Sequence, residues 1–165
     1  MNNIETLRNS KFGFIGCGEM ASAIIKGLIS SGFTDAKKII ATKATKNNIE
    51  EKSAELGINI FTDNKFLVKN SDVIILSVKP KQARSVLEEI AEDVTSEKLI
   101  VSIVAGLKTN SIEQILLSKP HVIRVMPNTP AMVGEGVLLF EDKNSIVCCL
   151  FKLSIEIRMP SIFDF

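Results

Sequence analysis

The chain has 165 residues, of which 45% are hydrophobic and 24% are charged. This length and composition fit one folded domain and exclude a disordered chain. The 20 basic and 19 acidic residues nearly cancel, so no overall field attracts nucleic acid or an anionic membrane surface, and any anion site has to be local. No apolar run is long enough to span a membrane, and the start of the chain lacks the apolar stretch of a signal peptide. We therefore expect a cytoplasmic protein with reduced cysteines and without membrane or nucleic-acid partners.

Short apolar runs alternate with helix-like patterns along the chain. The run at residues 72–78 is apolar without alternation, which is typical of a parallel strand that is covered on both faces. The predicted strands are residues 11–15, 38–42, 58–61, 72–78, 99–106 and 121–126. Helices are predicted between them, at residues 21–29, 46–57, 64–70, 82–92 and 111–117. This alternation with short connections predicts a mostly parallel sheet with helices on both faces.

The stretch GFIGCGEMASAIIKG lies between the first predicted strand and the first helix. Gly16, Gly18 and Ala21 fit the pattern G-x-G-x-x-G/A in the context that a dinucleotide site requires. Gly16 permits a tight turn, Gly18 lets the backbone approach a pyrophosphate, and Ala21 lets helix and strand pack closely. The alternative is a turn that binds nothing. The repeated strand-helix architecture favours the nucleotide loop and predicts a Rossmann-type, doubly wound α/β fold.

Two residues inside this loop raise separate questions. Glu19 places a carboxylate beside the expected phosphates, although its side chain can point to solvent. Cys17 lies at a helix N-terminus, where the pKa of a thiol tends to fall. A redox role for Cys17 and simple space filling both stay open.

The end of the second predicted strand decides which nucleotide would bind. An NAD site usually offers Asp or Glu there to the ribose hydroxyls, whereas this chain has Thr42, Lys43, Thr45 and Lys46. Hydroxyl and ammonium groups suit a 2'-phosphate, so NADP(H) is favoured, and NAD(H) stays open. For any single one of these residues the alternative is a solvated basic turn.

Four segments together resemble, in order and spacing, the N-terminal domain of pyrroline-5-carboxylate reductase. They are FGFIGCGEMASAIIKGL, DVIILSVKPKQ, VSIVAGLKTNSIEQIL and VIRVMPNTPAMVGEGVLLF. VKP and MPNTPAMVGEG are specific to this family and its near relatives, whereas many dehydrogenases share the glycine loop. The family reduces the carbon-nitrogen double bond of 1-pyrroline-5-carboxylate with NAD(P)H and gives L-proline, the last step of proline biosynthesis. The resemblance therefore implies an NADP-dependent oxidoreductase.

The resemblance also implies cofactor contacts, and these fall at predicted strand ends or in the loops that follow, as an open parallel sheet requires. With Lys43 added from the argument on the 2'-phosphate, the candidate cofactor-binding residues are Ile15, Gly16, Cys17, Gly18, Glu19, Met20, Thr42, Lys43, Asn64, Ser77, Val78, Lys79, Pro80, Ile103, Val104 and Ala105. Asn128 and Thr129 would border the substrate, with a purely structural turn as the alternative. No metal or nucleophile is expected, because the cofactor carries the hydride. We interpret His121, the only histidine, as structural.

The resemblance fades after residue 140. The reductases continue into a helical dimerisation domain whose Ser/Thr/Gly-rich loop binds the substrate carboxylate, and this sequence contains no such loop. We expect residues 1–143 to form the NADP-binding domain and residues 144–165 to be a remnant of the junction, whose apolar side chains favour self-association. Three functions stay open: a reductase with impaired turnover, a non-catalytic NADP-binding module, and another NADP-linked oxidoreductase related to hydroxyacid dehydrogenases.

Overall fold

Residues 3–127 and 138–140 are described by the structure, a computed structural model. The strands are β1 (Phe12–Ile15), β2 (Ile39–Thr42), β3 (Asn59–Phe61), β4 (Val73–Leu76), β5 (Leu99–Ser102), β6 (His121–Pro127) and β7 (Leu138–Phe140). The helices are α1 (Asn3–Asn9), α2 (Glu19–Ser30), α3 (Ile49–Leu56), α4 (Asn64–Lys69), α5 (Pro80–Ile90) and α6 (Thr109–Ile115), with one 3-10 turn at Ala36–Lys38.

These strands form one sheet in the order β3-β2-β1-β4-β5-β6-β7. Strands β1 to β6 are all parallel to one another, and β7 pairs with β6 in the antiparallel direction. The chain winds outward from β1 to β3 and then returns to the other side of β1 as β4. The predicted doubly wound, mostly parallel sheet is thereby confirmed. In such a sheet the crevice at the carboxyl ends of the two strands that flank the reversal, here β1 and β4, is the usual ligand site.

Side chains of alternate strand residues point to opposite faces, and each face carries its own hydrophobic core. One core joins the strands to α1, α2 and α3, and includes the buried residues Leu7, Phe12, Phe14, Ile24, Ile25, Leu28, Leu56 and Ile75. The other joins them to α4, α5 and α6, and includes Ile15, Leu67, Val68, Ile74, Leu76, Leu87, Ile90, Ile112 and Leu116. The prediction of helices on both faces is confirmed. The sheet is therefore covered by helices on both faces, and the loops that follow its parallel strands lie at its carboxyl edge.

Some element boundaries differ from the sequence predictions, and the differences matter for the site. β4 ends at Leu76 and β5 ends at Ser102, and both ends are earlier than predicted. The released residues become loops at the carboxyl edge. α5 begins at Pro80 and not at residue 82, since a proline is well suited to the first turn of a helix.

One α-helix and one strand were not predicted. α1 contains few apolar residues. Burial is described for residues 5–9 of this helix, and of their side chains only that of Leu7 is buried. β7 lies at residues for which no strand was predicted, and it pairs with β6 in the antiparallel direction. In both cases the deciding contacts are with residues distant in the sequence.

Several sequence predictions lie outside the described residues. These are the substrate-side positions Asn128 and Thr129, the cysteines at 148 and 149, and the domain remnant at 144–165. Within the described part of the chain, no helix combines the length and apolar character that crossing a membrane requires.

Candidate functional site

A cleft of about 420 Å³ opens at the carboxyl ends of β1, β2 and β4. It lies at the reversal of strand order, where the fold predicts a ligand. Its lining residues are Ile15, Gly16, Cys17, Gly18, Thr42, Lys43, Ala44, Thr45, Asn64, Ser77, Val78, Lys79, Gln82 and Val86. Two larger depressions, of about 630 and 740 Å³, lie beside α3 and beside α6. Neither touches the glycine loop, so the smaller cleft is the candidate site.

Gly16 makes the tight turn that leads from β1 into the cleft. Its φ of +92° belongs to a region that side chains rarely adopt, and a Cβ built on it would lie 2.8 Å from the carbonyl oxygen of Ser77. The backbone N–H of Ser77 donates to the carbonyl oxygen of Ile15 at 2.9 Å, and the Ser77 hydroxyl donates to the same oxygen at 3.0 Å. The glycine turn is therefore fixed against the residue that follows β4.

Gly18 leaves open space at the N-terminus of α2. It is the N-cap residue of this twelve-residue helix, and a Cβ built on it would have no heavy atom within 4 Å. No side chain caps the helix, so the amide hydrogens of its first turn are available to a ligand. Ala21 is 1% exposed and lets the helix pack closely on the sheet. Open space, free amides and the positive end of the helix dipole together suit a phosphate.

The carboxylate of Glu19 does not obstruct this region. Its side chain is 77% exposed and lies 3.6 Å from the ammonium nitrogen of Lys52, which is also 3.0 Å from Glu55. The hydrogen bond with Glu55, aided by the charge of Glu19, raises the pKa of Lys52. Lys52 therefore stays charged and offsets the negative charge of Glu19. The exposure of Glu19 agrees with the expectation that its side chain can point to solvent.

The expected fall in the pKa of Cys17 is wrong. The side chain is only 6% exposed, and burial raises the pKa of the thiol more than the hydrogen bond with Ser22 and the charge of Lys52 lower it. The thiol is therefore protonated at neutral pH and is a poor nucleophile. Cys17 fills space between the glycine turn and the core.

At the end of the cleft beside β2, Thr42 and Asn64 are joined by a hydrogen bond. The hydroxyl of Thr42, a residue only 2% exposed, donates to Oδ1 of Asn64 at 2.7 Å. Lys43 lines the cleft and its ammonium group donates to the carbonyl oxygen of Asn47 at 2.8 Å. Thr45 also lines the cleft, whereas Lys46 lines the depression beside α3. The end of β2 thus offers hydroxyls and one ammonium group.

Most of the predicted cofactor-binding residues are brought together in the cleft. The predicted residues that do not line it are Glu19, Met20, Pro80, Ile103, Val104 and Ala105. Glu19 and Met20 are in the first turn of α2 and Pro80 begins α5. Ile103, Val104 and Ala105 follow β5, and the Ile103 N–H donates to the carbonyl oxygen of Leu76 at 3.1 Å.

Ala44, Gln82 and Val86 line the cleft without having been predicted. Gln82 and Val86 are four residues apart and therefore share one face of α5. Helical spacing alone could have indicated this pair once Lys79 was placed in the site. Ala44 carries no chemical signal that a sequence would reveal.

The described residues contain no group of His, Cys, Asp and Glu side chains that could hold a metal ion. The strand order, the glycine turn and the open N-terminus of α2 define a domain of the dinucleotide-binding Rossmann class. Residues 11–106 match the family described as NADP oxidoreductase, coenzyme F420-dependent. This match covers more than half of the chain, and the chain belongs to that family.

Among curated proteins, the chain is similar to pyrroline-5-carboxylate reductases. It is 42% identical over 130 residues to the enzyme of Methanosarcina acetivorans, covering 79% of this chain and 48% of the relative. It is 35% identical over 148 residues to the enzyme of Arabidopsis thaliana, covering 86% of this chain and 53% of the relative. The predicted resemblance is confirmed, and the chain spans about half the length of these relatives.

Solved structures of the same enzyme share the fold. The pyrroline carboxylate reductase of Plasmodium falciparum with NADP bound has a TM-score of 0.76 and 29% identity, over 93% of this chain and 58% of that one. The pyrroline-5-carboxylate reductase of Coxiella burnetii has a TM-score of 0.79 and 30% identity, over 94% of this chain and 60% of that one.

Proposed function

We propose that the chain is the cofactor-binding part of a pyrroline-5-carboxylate reductase. It binds NADP(H) in the cleft and directs its nicotinamide towards the carbon-nitrogen double bond of 1-pyrroline-5-carboxylate, whose reduction gives L-proline. The observation that carries the proposal is the free space at Gly18, where unpaired amides of α2 meet the glycine turn at the reversal of strand order. The likeness to reductases of this activity supports it.

The cleft residues fit the successive parts of a dinucleotide. We place the pyrophosphate over Gly16 and Gly18, where no side chain intervenes, and the adenosine ribose beside Thr42. Lys43 and Thr45 follow β2 and lie along the cleft, where they can bind a 2'-phosphate.

The nicotinamide half is assigned to the loops after β4 and β5. Ser77, Val78 and Lys79 line the cleft directly after β4, and residues 103–105 follow the neighbouring strand. When bound, the cofactor supplies the hydride. Asn128 and Thr129 are proposed to border the substrate.

The protein's own contribution to the reaction is orientation. A protonated cyclic imine is already electrophilic, so the site needs neither a nucleophile nor a metal to activate it. Burial of the Cys17 thiol and the raised pKa that follows agree with a site that performs no covalent catalysis.

Calorimetric titration of the chain with NADPH and with NADH tests the proposal. We expect NADPH to bind with micromolar affinity, and NADH more weakly, because only NADPH carries the 2'-phosphate that Lys43 and Thr45 are proposed to bind. Absence of binding by both would contradict the cofactor assignment. Turnover is measured separately, as NADPH oxidation in the presence of 1-pyrroline-5-carboxylate.

Two further parts of the proposal concern the whole protein. We propose that it acts in the cytoplasm and that it self-associates through the apolar side chains of residues 144–165. Light scattering over a wide range of concentrations tests the second point, since a monomer at every concentration would contradict it.

A further inference from the structure

A chain of hydrogen bonds leads from outside the cleft to the ribose end of the site. Glu89 on α5 does not line the cleft. Its Oε2 accepts a hydrogen bond of 3.0 Å from Nδ2 of Asn64, the first residue of α4. Oδ1 of Asn64 then accepts the hydroxyl hydrogen of Thr42 at 2.7 Å. Three elements that are distant in the sequence are thus joined at the end of β2.

The chemistry of these groups fixes the direction of every hydrogen bond. An ionised carboxylate accepts hydrogen bonds and cannot donate them, so the Asn64 amide has to turn its NH₂ group towards Glu89. Its carbonyl oxygen therefore faces Thr42, and the Thr42 hydroxyl has to donate to it. The hydrogen of this hydroxyl is used in that bond, and only the acceptor lone pairs of Thr42 are left for a ligand.

We propose that Glu89 is a positioning residue that sets the cofactor specificity of this site by making Thr42 an acceptor. The inference rests on the proposed function. An acceptor at the end of β2 suits the 2'-hydroxyl of NAD(H), which can donate. It disfavours the 2'-phosphate of NADP(H), whose oxygens only accept. Glu89 therefore limits the preference for NADPH that Lys43 and Thr45 create.

The first test measures the ratio of the affinities for NADPH and NADH in the variant Glu89→Gln. A glutamine can donate as well as accept, so the Asn64 amide is free to turn and Thr42 is free to donate to the phosphate. We expect the ratio to move about 3- to 10-fold towards NADPH, the net effect of one ordinary hydrogen bond. An unchanged ratio would overturn the specificity assignment.

Two further variants separate this effect from a change of charge. Glu89→Asp keeps the charge but shortens the side chain by one methylene, which breaks the contact with Asn64. We expect it to move the ratio in the same direction as Glu89→Gln. Glu88→Gln removes a neighbouring charge that is paired with Arg84, and it should leave the ratio unchanged. If Glu89→Asp behaves like the unmodified protein while Glu88→Gln shifts the ratio, charge alone acts and the proposal is wrong.

A second test needs no nucleotide. In nuclear magnetic resonance spectra of the ligand-free protein, the side-chain amide signals of Asn64 should shift in Glu89→Gln and Glu89→Asp but not in Glu88→Gln. Unchanged signals in both Glu89 variants would overturn the positioning role. If the unmodified protein binds neither dinucleotide, the proposed function and the specificity role fail together, whereas these signals still decide whether Glu89 orients Asn64.

Discussion

Replacing Gly18 with valine is expected to weaken dinucleotide binding strongly while the domain stays folded. Gly18 lines the cleft and is the N-cap residue that precedes α2, and a Cβ at this position would meet no heavy atom within 4 Å. Its φ of −88° and ψ of −171° are those of extended backbone, which valine adopts readily. The new side chain therefore fits the protein but occupies the space in which the pyrophosphate would approach the amides of α2.

We expect the affinity for NADPH to fall at least about 100-fold, which corresponds to roughly 2.8 kcal/mol. Loss of the glycine N-cap should cost only about 1 kcal/mol of stability. Calorimetric titration and urea unfolding measure the two effects separately. In Gly18→Ser the hydroxyl caps the helix and the side chain is smaller, so stability should be retained and the loss of affinity should be smaller. Unchanged NADPH binding by the valine variant would show that the pyrophosphate does not lie over this loop.

The sheet and the glycine loop were predictable because both depend on local patterns. The apolar run of β4 is buried on both faces throughout, and continuous burial is what such a run indicates. Gly16, Gly18 and Ala21 each serve a different need of one turn, so their spacing carries information that composition lacks. Strand alternation then placed the loop at the correct edge of the sheet.

Features that depend on pairing between distant residues were not predictable. The pKa of Cys17 rises because the core covers the thiol, whereas helix position alone indicated a fall. The contacts among Thr42, Asn64 and Glu89 join three separate elements, and no spacing in the sequence indicates them. The pairing of β7 with β6 is of the same kind.

Gly13 illustrates the boundary between the two cases. The sequence shows a glycine within a strand, which indicates a close approach by some other group without identifying it. In the structure a Cβ on Gly13 would lie 2.4 Å from Oγ of Ser71 and 2.5 Å from Cδ2 of Leu67. The missing side chain allows α4 to lie directly on β1, and through it Asn64 reaches the cleft.

Replacing Gly16 with alanine is expected to destabilise the whole domain. At a φ of +92° a Cβ is strained in itself, at a cost of about 1–2 kcal/mol. The added methyl group would also lie 2.8 Å from the oxygen and 3.0 Å from the carbon of the Ser77 carbonyl. These are backbone atoms, held in place by the hydrogen bonds of Ser77 to Ile15, so the clash cannot be relieved by rotating a side chain. Such overpacking adds about 1–3 kcal/mol.

Gly18→Ala is the matched control, because it adds the same methyl group two residues away in the same motif. Urea unfolding should show a loss of about 3 kcal/mol for Gly16→Ala and at most about 1 kcal/mol for Gly18→Ala. Equal losses would contradict the assignment of Gly16 to the strained turn. The order should reverse for the affinity of the folded protein for NADPH, with Gly18→Ala losing more affinity than Gly16→Ala. Gly18→Ala places its methyl group in the path of the ligand, whereas the methyl group of Gly16→Ala contacts the backbone of Ser77 after β4. The same substitution therefore separates the glycine that the fold needs from the glycine that the ligand needs.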